Sequence, residues 1–146
     1  MIKVVPFEPE HAEKIRLREK DLEGIRPLDP VKMIQGIAQT GPFCSIMVDR
    51  EVMAVGGVMM FWPGCGEAWL GTSGLAEKYP LSFTKLVKGF IDYQIKENHL
   101  HRIQLNVVES NHKSLSWVRL LGFVLESKME RYGPNKETYF RFVRLS

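Results

Sequence analysis

The sequence predicts a mixed α/β fold built around one central sheet of about seven strands. Strand-like apolar runs alternate with amphipathic helical segments in the order β-α-α-β-β-β-α-β-α-β-β. A helical segment separates the fourth and fifth strands, which implies a right-handed crossover and a parallel strand pair at that point. Short turns join the other neighbouring strands and favour antiparallel pairing there. The 146 residues suit a single domain over residues 1–146.

The N-terminal part predicts one strand and two helices. Ile2–Phe7 is a short apolar run bounded by prolines, and it predicts the first strand. Glu10–Glu23 spaces its apolar residues as one helix face, and Gly24 is the expected end of that helix. The pair Asp29-Pro30 combines a helix cap with a proline at the first helical position, so it predicts a second short helix.

The rest of the chain continues the same alternation. Phe43–Val48, Val52–Phe61 and Glu67–Thr72 are apolar runs linked by turns, and they predict three central strands. Leu81–Asn98 is the clearest helix, because its apolar residues repeat at the period of a buried helix face. The C-terminal part predicts a strand, a short helix and two further strands, which are His101–Val108, Asn111–Leu121, Phe123–Arg131 and Thr138–Leu145.

Composition excludes several functional classes. The net charge is +3, from 20 basic and 17 acidic residues, which suits an anionic small ligand and does not favour nucleic acid. No apolar run approaches the ~18 residues of a membrane span, and the first residues lack a signal-peptide pattern. We therefore expect a cytoplasmic protein without a membrane partner. Cys44 and Cys65 are expected to be free and structural.

The histidines and the C-terminal aromatic residues suggest two further kinds of site, and neither is favoured. His99, His101 and His112 have no cysteine or acidic partner at a spacing suited to metal ligation, so no metal site is predicted. Aromatic residues alternate with arginines in the last strand, as on a base-stacking surface. Such alternation is more typical of core packing and cross-strand pairing.

One C-terminal pattern resembles a known superfamily. Val107–Leu115 reads VVESNHKSL, with Asn111 opening a predicted helix, and Leu120–Phe123 reads LLGF at its end. This pattern resembles the C-terminal half of the GNAT acyltransferases, and the element order matches that superfamily along nearly the whole chain. The resemblance implies a seven-stranded mixed sheet that is splayed between the fourth and fifth strands, with acyl-CoA bound in the splay.

A narrower resemblance extends over about residues 43–145. Trp69–Ser73 reads WLGTS, a long helix and the Asn111 helix follow, and Phe140–Arg144 reads FRFVR. These segments are similar to a family of short-tailed phage proteins described as internal virion or GNAT-like proteins. The similarity implies a phage protein in the host cytoplasm or the virion, with phage or host proteins as partners.

Two positions depart from the GNAT pattern. Active members carry a glycine-rich loop after the fourth strand, whose N–H groups hold the CoA pyrophosphate. The corresponding segment here, Ser73–Ser82, has one glycine, an acidic Glu77, and a proline at Pro80 that removes an N–H donor. Many members also place a tyrosine seven residues after the asparagine, where its phenol protonates the leaving thiolate. That position is Val118 here.

Two polar residues are candidates for the reaction itself. The resemblance implies that Glu67, on the fourth strand, removes a proton from the amine; the alternative is a solvated glutamate at a strand end. It also implies that Asn111 hydrogen-bonds the pantetheine arm of CoA. The alternative is a plain helix cap, a position that suits asparagine and that also explains the place of Asn111.

The end of the fourth strand is the third candidate region. Backbone groups at a strand end in the splay would meet the thioester carbonyl or the pantetheine amide. Simple turn chemistry is the alternative. The predicted CoA-binding residues of this region are Leu70, Thr72, Ser73 and Gly74.

Three functions remain open on the sequence alone. The first is an N-acyltransferase that moves an acetyl group from acetyl-CoA to an unidentified amine. The second is a non-enzymatic phage protein on a degenerate GNAT scaffold, acting in virion assembly or on a host protein. The third is a module that binds CoA or another anion as a regulator.

Overall fold

The computed structural model describes residues 1–23, 25 and 28–146, so the expected helix end Gly24 lies outside the described residues. The strands are β1 (Ile2–Pro6), β2 (Phe43–Val48), β3 (Glu51–Trp62), β4 (Cys65–Thr72), β5 (Arg102–Val108), β6 (Val124–Met129) and β7 (Tyr139–Leu145). The helices are α1 (Pro9–Lys14), α2 (Glu19–Glu23), α3 (Pro30–Ile37), α4 (Leu75–Lys78), α5 (Pro80–Glu97) and α6 (His112–Leu120). None of the helices in these ranges is long and apolar enough to cross a membrane.

The strands form one seven-stranded mixed sheet in the order β1-β2-β3-β4-β5-β7-β6. Only the β4–β5 pair is parallel in this sheet, and α5 connects its two strands, which confirms the predicted crossover. All other neighbouring strands in the described chain pair antiparallel. The last strand inserts between β5 and β6, a placement that the order of elements along the chain does not reveal.

The sheet is splayed between β4 and β5. Backbone pairing joins Cys65–Glu67 to Arg102–Gln104 and then stops, although both strands continue for several residues. The predicted splay between the fourth and fifth strands is therefore confirmed. Because Glu67 and Gln104 are the last paired residues, they mark the closed end of the splay.

The two faces of the sheet carry separate apolar clusters. Alternate strand residues point to opposite faces, so Ala54 packs in one cluster and Val55 in the other. The larger cluster includes the buried faces of α5 and α6, with Phe123 and Phe142 almost fully enclosed. Helices α1 and α3 cover the other face, where Ile34 is fully buried. Each such side chain contributes about 1.5–3 kcal/mol through removal from water.

The helix predicted over Glu10–Glu23 is wrong, because the structure has two short helices, α1 and α2, with an extended segment between them. Leu17 in that segment forms a β-bridge with Ser73, and the backbone N–H of Arg18 donates to the carbonyl of Thr72 at 2.9 Å. These backbone groups pair with the end of β4 instead of with a helical turn. Tertiary pairing therefore interrupts a segment whose apolar spacing is helical.

Two other local expectations have opposite outcomes. The cap at Asp29 is confirmed, since its side chain accepts from the N–H groups of Val31 and Lys32 at the start of α3. The segment before Leu81 was expected to be a loop, but Leu75–Lys78 forms α4, and α5 begins one residue before the predicted start, at Pro80. Only Tyr79 separates these two helices.

Candidate functional site

A cavity of about 400 Å³ occupies the splay between β4 and β5, and we call it the splay cavity. Its walls come from both splayed strands and from α5 and α6. Wall residues include Ala68, Leu70 and Thr72 of β4, Leu105, Asn106 and Val107 of β5, Phe83 and Val87 of α5, and Trp117 and Val118 of α6. Most of these side chains are apolar, so the few polar groups that reach the cavity would orient a bound molecule.

Glu67 lies at the closed end of the splay and is mostly buried, with 16% of its side chain exposed. Its Oε1 accepts hydrogen bonds from Gln104 Nε2 at 2.8 Å and from Asn106 Nδ2 at 3.3 Å. Arg141 Nη2 lies 3.8 Å from the same oxygen. Among the described residues, Oε2 accepts no hydrogen bond, so one carboxylate oxygen is held and the other can accept a proton. A solvated glutamate at a strand end does not fit this environment.

The polar residues around Glu67 form a network across three strands. Asn106 uses its Nδ2 toward Glu67 and also toward the hydroxyl of Tyr132 at 3.3 Å. Its Oδ1 accepts from Arg141 Nε at 3.0 Å. Asn106 and Arg141 are direct cross-strand partners in β5 and β7. The network keeps the carboxylate of Glu67 in one orientation at the closed end of the splay.

At the open end of β4, Leu70 and Thr72 line the splay cavity, and their contact with CoA stays a prediction. Leu70 packs against the larger apolar cluster. Thr72 is buried, and both its backbone N–H and its hydroxyl donate to Asp21 Oδ2 at 2.9 Å. The Thr72 N–H is therefore already paired with a carboxylate of α2.

Ser73 and Gly74 do not line the splay cavity. The Ser73 hydroxyl donates to the carbonyl of Met53 at 3.1 Å, and it also accepts from the N–H of Leu75. The Gly74 carbonyl accepts from the N–H of Glu77. These contacts are the turn chemistry that the sequence offered as the alternative, and they tie β3 and β4 to α4.

Asn111 is the N-cap of α6 and also lines the splay cavity. Its Oδ1 accepts from the N–H of Ser114 at 3.3 Å, so the helix-cap interpretation is confirmed. Within the described part of the chain, its Nδ2 makes no hydrogen bond, which leaves an amide donor for a ligand. Nearby, Trp117 stacks on Phe83 at 5.2 Å and joins α6 to α5.

Three charged residues meet at the mouth of the splay cavity. Glu77 of α4 accepts a 2.9 Å hydrogen bond from Arg18 Nη1 and lies 3.7 Å from Lys113 Nζ of α6. The hydrogen bond from Arg18, together with the charge of Lys113, lowers the pKa of Glu77 below its usual value. All three residues line the cavity. The arrangement places two cations where an anionic group would enter, and an internal carboxylate now neutralises them.

Tyr139 is a cavity residue that the sequence did not single out for chemistry. It supplies the only phenol among the described residues that line the splay cavity, although it lies on β7 and not on α6. Burial, together with the charge of Glu137, raises the pKa of Tyr139 to about 12, so its hydroxyl keeps its proton at neutral pH. The signal in the sequence was one tyrosine among the aromatic residues of the last strand, which does not indicate a catalytic role until the position of β7 in the sheet is known.

Comparison with solved structures supports the same architecture. Ard1 from Thermoplasma volcanium aligns with a TM-score of 0.83 at 14% identity, over 99% of this chain and 97% of that one. A GNAT-family acetyltransferase from Bacillus anthracis aligns at 0.75 and 12% identity, over 99% and 94% of the two chains. The ribosomal-protein-S5-alanine acetyltransferase from Vibrio fischeri aligns at 0.74 and 15% identity, over 99% and 92%.

These alignments extend over nearly the whole length of each partner, at identities that carry information about fold alone. No family profile matches the sequence, and no curated protein matches it at a significant level. The number of strands, the splay between β4 and β5, and the crossover helix α5 agree with the sequence expectation. The chain therefore has the fold of the GNAT acetyltransferases.

Proposed function

We propose that this protein is an N-acyltransferase that moves an acetyl group from acetyl-CoA to an amine. The observation that carries the proposal is the splay cavity together with the carboxylate of Glu67, which does not line the cavity but lies at the closed end of the splay and is hydrogen-bonded to the cavity residue Asn106. Hydrogen bonds hold Oε1 of this carboxylate. Oε2 accepts none among the described residues, so it can take a proton from a substrate, as a general base does. The similarity to structures named as acetyltransferases supports the same reaction class.

The cavity residues fit acetyl-CoA in chemistry as well as in shape. The apolar walls of β4, β5 and α5 suit the pantetheine arm, and the unpaired Nδ2 of Asn111 suits one of its amide carbonyls. Arg18 and Lys113 can bind the pyrophosphate of CoA when their ion pairs with Glu77 are broken. In this assignment the two side chains bind the pyrophosphate in place of the backbone N–H groups of a glycine-rich loop. The first N–H groups of α4 cannot do so, because they are already hydrogen-bonded within the chain.

The proposed reaction needs a base, an acid and no covalent enzyme intermediate. Glu67 Oε2 takes one proton from the substrate ammonium, and the neutral nitrogen then attacks the thioester carbon. The new carbon–nitrogen bond forms as the carbon–sulfur bond breaks, and the nitrogen loses its second proton to solvent. Tyr139 donates its phenolic proton to the departing sulfur, in the role that Val118 cannot fill, and regains a proton from solvent, while Glu67 releases its proton to solvent. Positioning of the two substrates in the cavity supplies the remaining acceleration.

Calorimetric titration with acetyl-CoA tests the proposal. We expect saturable micromolar binding, weakened by Asn111→Ala and unchanged by Asn98→Ala, which alters an exposed asparagine at the far end of α5. Glu67→Gln should lower kcat by about 10²–10⁴-fold. The same variant should leave acetyl-CoA affinity intact, and Glu51→Gln at the exposed start of β3 is the matched control. No heat and no thermal stabilisation at millimolar acetyl-CoA would overturn the proposal.

The phage interpretation remains a prediction beside the enzymatic one. Its support is the similarity of residues 43–145 to phage GNAT-like proteins, together with Glu77 at the mouth of the cavity and the engaged N–H groups of α4. A non-enzymatic protein for virion assembly or host interaction would keep the core and lose acetyl-CoA binding. The titration therefore separates the two functions directly. Location in the host cytoplasm or in the virion is likewise a prediction.

A further inference from the structure

Beside Glu67, the structure places an arginine whose side chain donates one hydrogen bond among the described residues. Arg141 of β7 is about a quarter exposed and lies on the same face of the sheet as Glu67. Its Nε donates to Asn106 Oδ1 at 3.0 Å. Its Nη2 lies 3.8 Å from Glu67 Oε1, which is beyond hydrogen-bonding distance. Among the described residues, Arg141 makes no hydrogen bond to a carboxylate.

A neighbouring arginine on the same face, Arg102, makes more hydrogen bonds than Arg141 does. Arg102 donates from Nε and Nη2 to Gln104 Oε1, and both of its Nη atoms donate to the Glu126 carboxylate. Glu126 is thereby bound to Arg102. By contrast, Nη1 and Nη2 of Arg141 donate no hydrogen bond among the described residues. The N–H groups of a guanidinium form a planar fork, which can bind a carboxylate through two parallel hydrogen bonds.

The position of Arg141 relative to Glu67 limits what the acceptor can be. The reacting amine must reach Glu67 Oε2, and the Arg141 guanidinium lies beside the same carboxylate, with Nη2 3.8 Å from Oε1. A simple amine would bring a second positive charge against Arg141, which is unfavourable in a mostly buried site. A molecule whose amine and carboxylate are attached to the same carbon would instead pair its amine with Glu67 and its carboxylate with Arg141.

We propose that the acceptor is an α-amino acid with a free carboxylate, and that Arg141 binds this carboxylate while Glu67 receives the amine. This inference rests on the proposed function and gives the substrate class of the same site. The two charges of the zwitterion match the two charges of the protein, amine to Glu67 and carboxylate to Arg141. Bidentate contact also orients the amine toward the splay cavity.

Turnover with a panel of the common amino acids, each compared with its carboxamide, tests this inference. We expect kcat/KM for the accepted free acid to exceed that of its amide by about 10–100-fold, the value of one charge-assisted contact. Arg141→Lys should raise KM for the acid by about 10-fold or more with little change in kcat, because it keeps the charge and loses the fork. The amide should hardly respond to this variant.

Arg144→Lys is the matched control. Arg144 lies on the same strand but faces the opposite side, where it pairs with Asp92 and the carbonyl of Leu121. It should leave the preference for acid over amide unchanged. Equal use of acids, amides and simple amines, or an unchanged KM in Arg141→Lys, would overturn the inference.

A binding measurement separates this inference from the proposed function. Saturation-transfer NMR, without acetyl-CoA, should show binding of the free acid that Arg141→Lys abolishes and Arg144→Lys preserves. Acetyl-CoA binding without preference for the acid would reject the acceptor class alone. Failure of acetyl-CoA to bind, with the acid still held by Arg141, would reject the transferase and keep the amino-acid site.

Discussion

Asp21 is predicted to hold helix α2 against the end of β4. Its Oδ2 accepts both the backbone N–H and the hydroxyl of Thr72 at 2.9 Å, and its side chain is only 15% exposed. Arg18 Nη2 lies 3.7 Å from the other carboxylate oxygen. Removal of the carboxylate in Asp21→Ala therefore leaves a buried N–H without its acceptor.

The expected loss follows from the two hydrogen bonds. A hydrogen bond to a charged group contributes about 1.5–3 kcal/mol, and water at the cavity mouth can replace part of it, so Asp21→Ala should cost about 2–4 kcal/mol. For a domain of this size, each kcal/mol lowers Tm by about 2–4 °C. Asp21→Asn keeps an acceptor oxygen for Thr72 and should cost about 1 kcal/mol.

Urea denaturation of the purified variants measures these costs, and amide hydrogen exchange reports on the Thr72 N–H directly. Glu23→Ala is the control, because Glu23 lies on the same helix in an exposed pair with Lys20 and should cost less than about 0.5 kcal/mol. An Asp21→Ala variant as stable as Glu23→Ala, with unchanged Thr72 exchange, would refute this account of the α2 contact.

Three further predictions follow from packing, burial and charge. Phe123 is 2% exposed, so Phe123→Ala should cost about 3–5 kcal/mol in urea unfolding, while Val124→Ala, at an exposed position, should cost far less. Burial raises the pKa of the Cys44 thiol to about 11; its alkylation by iodoacetamide at pH 8 should be about 100-fold slower than that of an ordinary thiol and should rise with pH toward 11. A rate that levels off near pH 9 contradicts this burial. Glu77→Gln removes the carboxylate that neutralises the two cations at the cavity mouth, so the calorimetric Kd for acetyl-CoA should fall by about 3–10-fold; a higher Kd would contradict the assignment of those cations to the pyrophosphate.

Local sequence patterns were sufficient to predict most of the fold. The crossover follows from a long amphipathic segment between two apolar runs, and the structure has α5 between β4 and β5. The helix cap at Asp29 and the cap at Asn111 are also local, because each side chain bonds a backbone N–H two or three residues away. Such features depend on residues close in sequence, so they can be predicted without knowledge of the tertiary structure.

The candidate site could not be predicted in the same way, because it depends on contacts between residues far apart in the sequence. The sequence singled out Glu67, but its environment comes from Gln104, Asn106 and Arg141, which are 37 or more residues away along the chain. Tyr139 reaches the cavity only because β7 inserts next to β5.

By itself, the sequence determined the seven strands, most of the helices, the crossover, and the positions that depart from the GNAT pattern. Periodicity reports which face of an element is buried, but not which residues that face meets. The break between α1 and α2, the capture of Thr72 by Asp21, and the meeting of Arg18 and Lys113 at Glu77 were decided by tertiary structure. Each is a backbone or charge pairing over a long sequence separation, and only the packed sheet brings its partners within hydrogen-bonding or ion-pair distance.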